Sequence, residues 1–243
     1  MLFSVLFINS NMKVNLKAIT PNIEETIVEI ARVSSSRKDK SEAPEGLINY
    51  LIKNWHFSPF EHGYITMEIE TSKAIGIQLL RHRSFTFQEF SQRYQDVGKV
   101  SDSGMFEDVE IRKQATNNRQ SSEEVFDPFI KDPFYNDFHN EIELASKAVL
   151  EHQSYSETLY NNLLEGGVAR EQARMVLPMA TKTRIYMTGS IRSWLSFLNI
   201  RLDQHAQVEI REVANEIADV LQGKLPLISS ACNNFNDRKG LFM

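Results

Sequence analysis

Arg81-His82-Arg83-Ser84-Phe85-Thr86-Phe87-Gln88-Glu89-Phe90-Ser91-Gln92-Arg93-Tyr94 places three guanidinium groups, a histidine, a carboxylate and several hydroxyls within fourteen residues. The preceding residues 72–83 have helical spacing, so Gln78, Arg81 and His82, at i, i+3 and i+4, share one face. If residues 85–93 run extended, the strand period of two sets Phe85, Phe87, Glu89, Ser91 and Arg93 on one side. Helix end and strand would then meet at an anion-binding pocket. Arginine suits such a pocket because its planar fork donates in pairs and keeps its charge near neutral pH. Arg-His-Arg alone also fits the last turn of an exposed helix, where basic residues complement the dipole; the regularly spaced Glu, Ser and Arg that follow favour the pocket.

The 243 residues, 42% hydrophobic and 10% aromatic, can fill one sizeable core, and no repeat or linker interrupts them, so a single domain over residues 1–243 is expected. The net charge of −5 argues against a general nucleic-acid binder and makes any basic site local. It also disfavours an RNA-binding module that would use Phe85, Phe87 and Phe90 as stacking platforms. The single cysteine, Cys232, rules out an intramolecular disulfide and a cysteine-cluster metal site. Residues 1–8 are apolar but short, without a charged segment or a small-residue cleavage site, and no run approaches the roughly 20 apolar residues that span a bilayer. The expectation is a soluble, cytoplasmic protein with no membrane partner. In His56-Phe57-Ser58-Pro59-Phe60-Glu61-His62 the i, i+5, i+6 spacing does not match a helical zinc pair, so no metal is expected. No glycine-rich phosphate loop is present, which leaves side chains and helix ends to hold any nucleotide or flavin.

Around this stretch the pattern is mixed α+β, with a central, mostly antiparallel sheet flanked by long helices. Residues 12–20 alternate as a strand, with Thr20-Pro21 as cap and first turn of a helix whose stripe is Ile23, Ile27, Ile30 and Ala31. A loop over residues 34–44 precedes a second helix marked by Leu47, Leu51, Ile52 and Trp55. Residues 64–71 alternate cleanly, with Ile65, Met67 and Ile69 on one face. Residues 95–132 show little periodicity and read as a long loop, ordered or ordered by substrate, that buries Phe106, Val109, Ile111, Phe126 and Phe129. Helical spacing returns over residues 138–164 through Phe138, Ile142, Ala145, Val149, Tyr155, Leu159 and Leu163, and Gly166-Gly167 supplies a C-cap. Arg170 and Arg174 lie four apart on a short helix ended by Pro178. Residues 186–199 read as helix through Ile191, Trp194, Leu195 and Leu198, with Arg192 and Ser196 on another face. Asp203 would cap a last helix with the stripe Ile210, Val213, Ala214, Ile217, Val220 and Leu221, Arg201 and His205 lying near its start. A polar tail would follow from about residue 224.

Arg81-His82-Arg83, seven residues, then Ser91 resembles the signature of flavin-dependent thymidylate synthases, with Glu89, Arg93 and Tyr94 where that family has them. Ala31-Arg32-Val33-Ser34, the segment 56–62, Gln78, Arg174-Met175-Val176-Leu177-Pro178, Arg192-Ser193-Trp194 and residues 197–207 resemble further blocks in the same order. The resemblance implies an enzyme, a methyltransferase of nucleotide biosynthesis. It would convert dUMP to dTMP with 5,10-methylenetetrahydrofolate as carbon donor and NADPH-reduced FAD as hydride donor, without a cysteine nucleophile. A homotetramer with sites shared between subunits is implied, and no nucleic-acid partner. By resemblance, Ser91, the Gln92 amide and Arg93 hold the dUMP phosphate, with Gln78, Leu79, Leu80, Arg81, Glu89 and Phe90 around the nucleotide. Arg174 and the catalytic Arg201 face the uracil. The FAD contacts implied are Ser58, Glu61, Arg81, His82, Arg83, Glu89, Ser190, Ile191, Arg192 and Ser196, with His56 and His205 near flavin or folate.

Two departures stand out. Residues 190 and 196 are serines where many members have asparagine, and residues 95–122 are longer than in compact members. Asn118-Arg119-Gln120-Ser121-Ser122 resembles a longer-loop subgroup, in which Arg119 is expected to approach the site. A protein that kept the flavin pocket and lost turnover would carry the same arginines.

Overall fold

Residues 12–33, 43–132 and 142–234 are described by a computed structural model of the chain. In chain order they form β1 (Lys13–Ile19), α1 (Ile23–Ala31), α2 (Pro44–Lys53), a 3₁₀ turn (Ser58–Glu61), β2 (Tyr64–Ser72), α3 (Lys73–Leu79) and β3 (Thr86–Glu89). A second 3₁₀ turn (Val97–Lys99) leads to the short strands β4 (Arg112–Gln114), β5 (Ser122–Val125), β6 (Phe129–Lys131) and β7 (Ile142–Leu144). Then come α4 (Ala145–Glu165), α5 (Arg170–Ala173), a third 3₁₀ turn (Arg174–Val176), β8 (Lys182–Ser190), α6 (Ile191–Arg201), α7 (Val208–Lys224) and α8 (Pro226–Asn234). The fold is α+β with a mostly antiparallel four-stranded sheet in the order β1-β2-β8-β3. By backbone contacts, the described residues of Met1–Met12, Glu70–Gly76 and Phe90–Thr183 form one compact unit, and those of Lys13–Ile69, Ile77–Glu89 and Arg184–Met243 form a second.

In the second unit the alternation of β2 is realised: Ile65, Met67 and Ile69 are buried against the core together with Ile185 and Met187 of β8. The opposite face is polar, with Thr66 bonded to Thr188 and Glu68 accepting from Tyr186 and Asn15. β3 pairs with β8 from Thr86↔Thr188 to Glu89↔Ile185. Beside this pairing the Phe85 ring lies so close to Gly189 that a Cβ there would stand 2.5 Å from it. Trp194, fully buried in α6, donates its indole N–H to the Ile65 carbonyl. The stripe expected for the last helix appears in α7, where Ile210, Val213, Ala214, Ile217 and Leu221 are buried and Val220 is only partly covered. Each buried isoleucine, leucine or valine of this stripe stabilises by roughly 1.5–3 kcal/mol.

Several boundaries differ from the sequence reading. Thr20 does not cap α1; its hydroxyl accepts from the Tyr64 amide, and Asn22 takes the cap position with φ 47°. Pro44 is the first residue of α2, and Trp55 lies beyond the helix instead of on its stripe; residues 34–42 fall outside the described set. α3 stops at Leu79, so Arg81 and His82 leave the face of Gln78 and follow in a turn closed by His82 N–H to the Leu79 carbonyl. Residues 186–190 belong to β8, and helix begins only at Ile191 behind Ser190, whose hydroxyl accepts from the Ser193 amide. Asp203 does not cap α7; Gln207 does, and Arg201 ends α6. Pro226 opens a helix, α8, where a polar end was expected, because buried Glu24 accepts from the Ile228 amide (2.8 Å) and satisfies its first turn.

The first unit gives residues 95–132 more order than the sequence shows. β4 pairs with β5, β6 pairs with β7, and Val97, Val100 and Met105 are buried, whereas Val109, Phe126 and Phe129 are exposed and only Phe106 and Ile111 are partly covered. α4 starts at Ala145; Ile142 sits exposed in β7, and Phe138 falls outside the described residues. The buried face of α4 is Ala145, Ala148, Gln153, Ser156 and Tyr160, leaving the expected Tyr155 in solvent. Tyr160 hydroxyl accepts from the Val97 amide, and Val97, Met105, Tyr160 and Ala173 form one cluster. α4 ends as expected at Gly166-Gly167, with Gly167 at φ 86° and the Gly167 and Val168 amides bonded to the carbonyls of Leu164 and Leu163.

Candidate active site

The turn after α3 and the last turn of α6 bring Arg201 to His82. Its Nε donates to His82 Nε2 at 2.9 Å, and Nη2 lies 3.4 Å from the Gln78 carbonyl. The imidazole is wedged between rings, 4.9 Å from Phe197 and 6.3 Å from Phe85 by centroid. Burial, reinforced by the neighbouring guanidinium, lowers its pKa to about 4. His82 is therefore neutral near pH 7 and accepts through Nε2, so its proton sits on Nδ1. Burial also lowers the Arg201 pKa from its ordinary value. The result is a partly desolvated guanidinium, held by two neutral acceptors and with charge to offer a ligand. Gln78 faces Gln207, its Nε2 donating to Gln207 Oε1 at 2.6 Å. No local spacing in the sequence marks Gln207 as a member of this group.

A second group in the same unit gathers at Glu61, which accepts from Arg192 Nη1 at 2.9 Å and from the Ser190 hydroxyl at 2.7 Å. Serine at 190 thus both caps α6 and anchors the carboxylate that steadies Arg192. An open cleft of about 500 Å³ is lined by Ala31, Leu51, Trp55, His56, Phe57, Ser58, Pro59 and Arg192. His56 packs edge-on against Tyr50, 5.7 Å between centroids. Arg81 and Arg83, with Ile77 and Leu80, line another cleft of about 440 Å³. Leu79 and Ile191 are core residues, so their side chains are withdrawn from any ligand. Glu89 ends β3 and Ser196 lies on α6, both partly buried. His205 is in the connection before α7, exposed, with Nδ1 2.7 Å from Asp203, and does not meet Arg201 through any hydrogen bond between the two.

In the first unit, β3's extended run does not continue: Ser91 opens a turn in which its carbonyl accepts from the Tyr94 and Gln95 amides. Arg93 is exposed, pairs with Glu171 at 3.4 Å and lies 5.9 Å from the Tyr94 ring centroid. Arg174 donates Nε to the Glu171 carbonyl. Glu171 thus gathers two arginines, Arg93 and Arg174, that lie far apart in the sequence, a role no local spacing reveals. Phe90 is partly buried, and Gln92 is buried with its Nε2 lacking a hydrogen-bond partner among the described residues. Arg119 is exposed at the tip between β4 and β5, where Gln114 Nε2 bonds the carbonyls of Ala115, Asn118 and Ser121.

No grouping of three or more His, Cys, Asp or Glu suited to a metal occurs among the described residues, and none of their helices is long and apolar enough to cross a membrane. The lone thiol, Cys232, sits partly buried in α8 instead of a polar tail, and burial pushes its pKa up to about 12.

The family model of the thymidylate synthase complementing protein matches residues 15–227. A flavin-dependent thymidylate synthase from Synechocystis sp. is 39% identical over 208 residues, 86% of this chain and 88% of that protein. A probable flavin-dependent thymidylate synthase of Paramecium bursaria Chlorella virus 1 is 35% identical over 211 residues, covering 86% and 89%. The crystal structure of the UMP/dUMP methylase PolB from Streptomyces cacaoi, bound with 5-Br dUMP, superposes with a TM-score of 0.70 at 25% identity, over 93% of this chain and 96% of that one. The chain belongs to the flavin-dependent thymidylate synthase family.

Proposed function

We propose that the protein is a cytoplasmic, homotetrameric flavin-dependent thymidylate synthase. It methylates dUMP at C5, taking a one-carbon unit from 5,10-methylenetetrahydrofolate and two reducing equivalents from NADPH through FAD. The products are dTMP, tetrahydrofolate and NADP⁺, and the family assignment with the Arg201 corner supports this reading. The observation that carries it is the guanidinium held by neutral His82 and the Gln78 carbonyl. Beside the uracil N3 and its flanking carbonyls, such a cation stabilises the anionic ring and raises electron density at C5. That is the work which a thiolate adding to C6 would otherwise do, and the Cys232 thiol, with its pKa raised to about 12, stays protonated near neutral pH.

In this reading Arg174 is the second cation on the base. Ser91, the Gln92 amide and Arg93 take the phosphate, with Gln78, Leu80, Arg81, Glu89 and Phe90 around the nucleotide and Leu79 contributing backbone only. The donor set fits FAD: Arg81, Arg83 and Arg192 border open clefts and carry the charge a pyrophosphate requires. Ser58, Glu61, Ser190, Ser196 and the Ile191 backbone would complete the flavin contacts, with His56 and His205 toward flavin or folate. His82, turned to Arg201, orients that cation. FAD held by these residues would supply the hydride that completes the methyl group. Purified protein should be yellow, bleach with NADPH, and form dTMP from dUMP and methylenetetrahydrofolate. Flavin binding without dTMP would instead identify a binding protein that lacks turnover.

A further inference from the structure

α2 ends in a turn that normally selects glycine. The His56 amide bonds the Leu51 carbonyl at 2.9 Å and the Trp55 amide bonds the Ile52 carbonyl at 3.2 Å, the double closure whose intervening residue must adopt a left-handed backbone. That residue is Trp55, at φ 61°. A bulky side chain is disfavoured there because its Cβ crowds the following carbonyl. Trp55 is 46% exposed, so complete burial in the core does not account for the choice. The indole is nonetheless braced: its plane stands at 89° to the ring of buried Phe57, with centroids 5.9 Å apart. It borders the cleft that also contains His56, Ser58 and Arg192. A large aromatic face, fixed by a perpendicular ring and next to an imidazole and a guanidinium, is the chemistry that receives a flat, electron-poor heteroaromatic system. Backbone strain retained at such a place points to use by a ligand.

We propose that Trp55 is the stacking wall for a fused heteroaromatic ring bound in the His56–Ser58–Arg192 cleft, and so a binding determinant of the protein. The inference rests on the functional reading above, which offers two such rings, the isoalloxazine of FAD and the pterin of the folate.

The test uses the full-length protein, with W55G and W55F compared to the parent. FAD affinity is measured by equilibrium dialysis, tetrahydrofolate affinity by calorimetry on FAD-loaded protein, and melting temperature on each apoprotein. Glycine removes the ring and relieves the left-handed strain, so W55G should melt a few degrees higher than the parent while losing roughly tenfold in affinity for one ring, the size of one lost stacking contact. W55F keeps both ring and strain and should bind within about threefold of the parent. A loss confined to FAD assigns the isoalloxazine, and one confined to tetrahydrofolate assigns the pterin; either supports the proposal. A W55G protein that keeps both affinities, or that melts below the parent, overturns it. A parent that takes up neither FAD nor tetrahydrofolate would remove the functional reading and this inference with it, a failure visible before any variant is made.

Discussion

α2 and α4 close with the same pair of hydrogen bonds, yet they place opposite residues at the left-handed position. At the end of α4, Gly167 sits at φ 86°, where the conformation carries no steric penalty; at the end of α2, Trp55 sits at φ 61°. An L-residue there costs about 1–2 kcal/mol relative to glycine. Local preference and fold agree in the first region. They conflict in the second, and it is the second that leads into His56, Ser58 and Glu61, the residues expected to serve the cofactor. Elements obeying the local rules build the protein, while the breach marks where something besides folding sets the residue.

If that division is correct, substitutions should separate activity from stability according to region. Arg201→Ala should show the largest effect, a loss of about 10³-fold in turnover with a much smaller loss of dUMP affinity, since it removes stabilisation of developing charge on the base. Ser91→Ala should chiefly weaken dUMP binding, so equal loss of turnover and affinity in both variants would erase the distinction. On the folding side, Gly189→Ala should lower stability by about 1–3 kcal/mol, because its Cβ would stand 2.5 Å from the Phe85 ring, and chemical denaturation measures it.

A pH titration separates the regions in another way. His82 has a folded pKa of about 4 against an ordinary 6.5, so between these values the unfolded chain binds the proton and the folded one does not. Stability should therefore fall as pH drops from about 6.5 to about 4, by roughly 1–2 kcal/mol after discounting for partial exposure. In His82→Gln that part of the slope should vanish, while variants at the end of α4 should retain it. The smallest effect belongs to Gly167→Ala, expected to destabilise by about 1 kcal/mol with turnover unchanged. An activity loss there would break the contrast between the two helix ends.

Legibility in the sequence followed the same contrast. The alternation of Ile65, Met67 and Ile69 and the stripe of α7 were readable because apolar burial repeats at the period of the element. The second half of β8 reads as helix from sequence because the strand's buried positions include Thr183, Gly189 and Ser190, which add nothing to a hydrophobic period. α4 was rotated from expectation because it packs through Ala148, Gln153 and Ser156, small or polar residues that satisfy close approach instead of supplying apolar area. α3 ends without a glycine or proline to announce it. The motif residues are recognisable by type, but not the pairings among them: Arg201 with His82, Arg93 with Glu171, and Arg192 and Ser190 with Glu61 join positions far apart in the chain. Contacts of that kind come from tertiary structure and leave no local spacing to detect.

The reaction proposed for this chain is arginine-activated, flavin-dependent methylation of dUMP to dTMP. Its most direct test is a single-turnover assay with NADPH-reduced, FAD-loaded protein, dUMP and 5,10-methylenetetrahydrofolate, run in parallel on a Cys232→Ala variant. dTMP should form in step with flavin reoxidation, at the same rate with and without the cysteine. Flavin reoxidation without dTMP, or dTMP that disappears with Cys232, would contradict it.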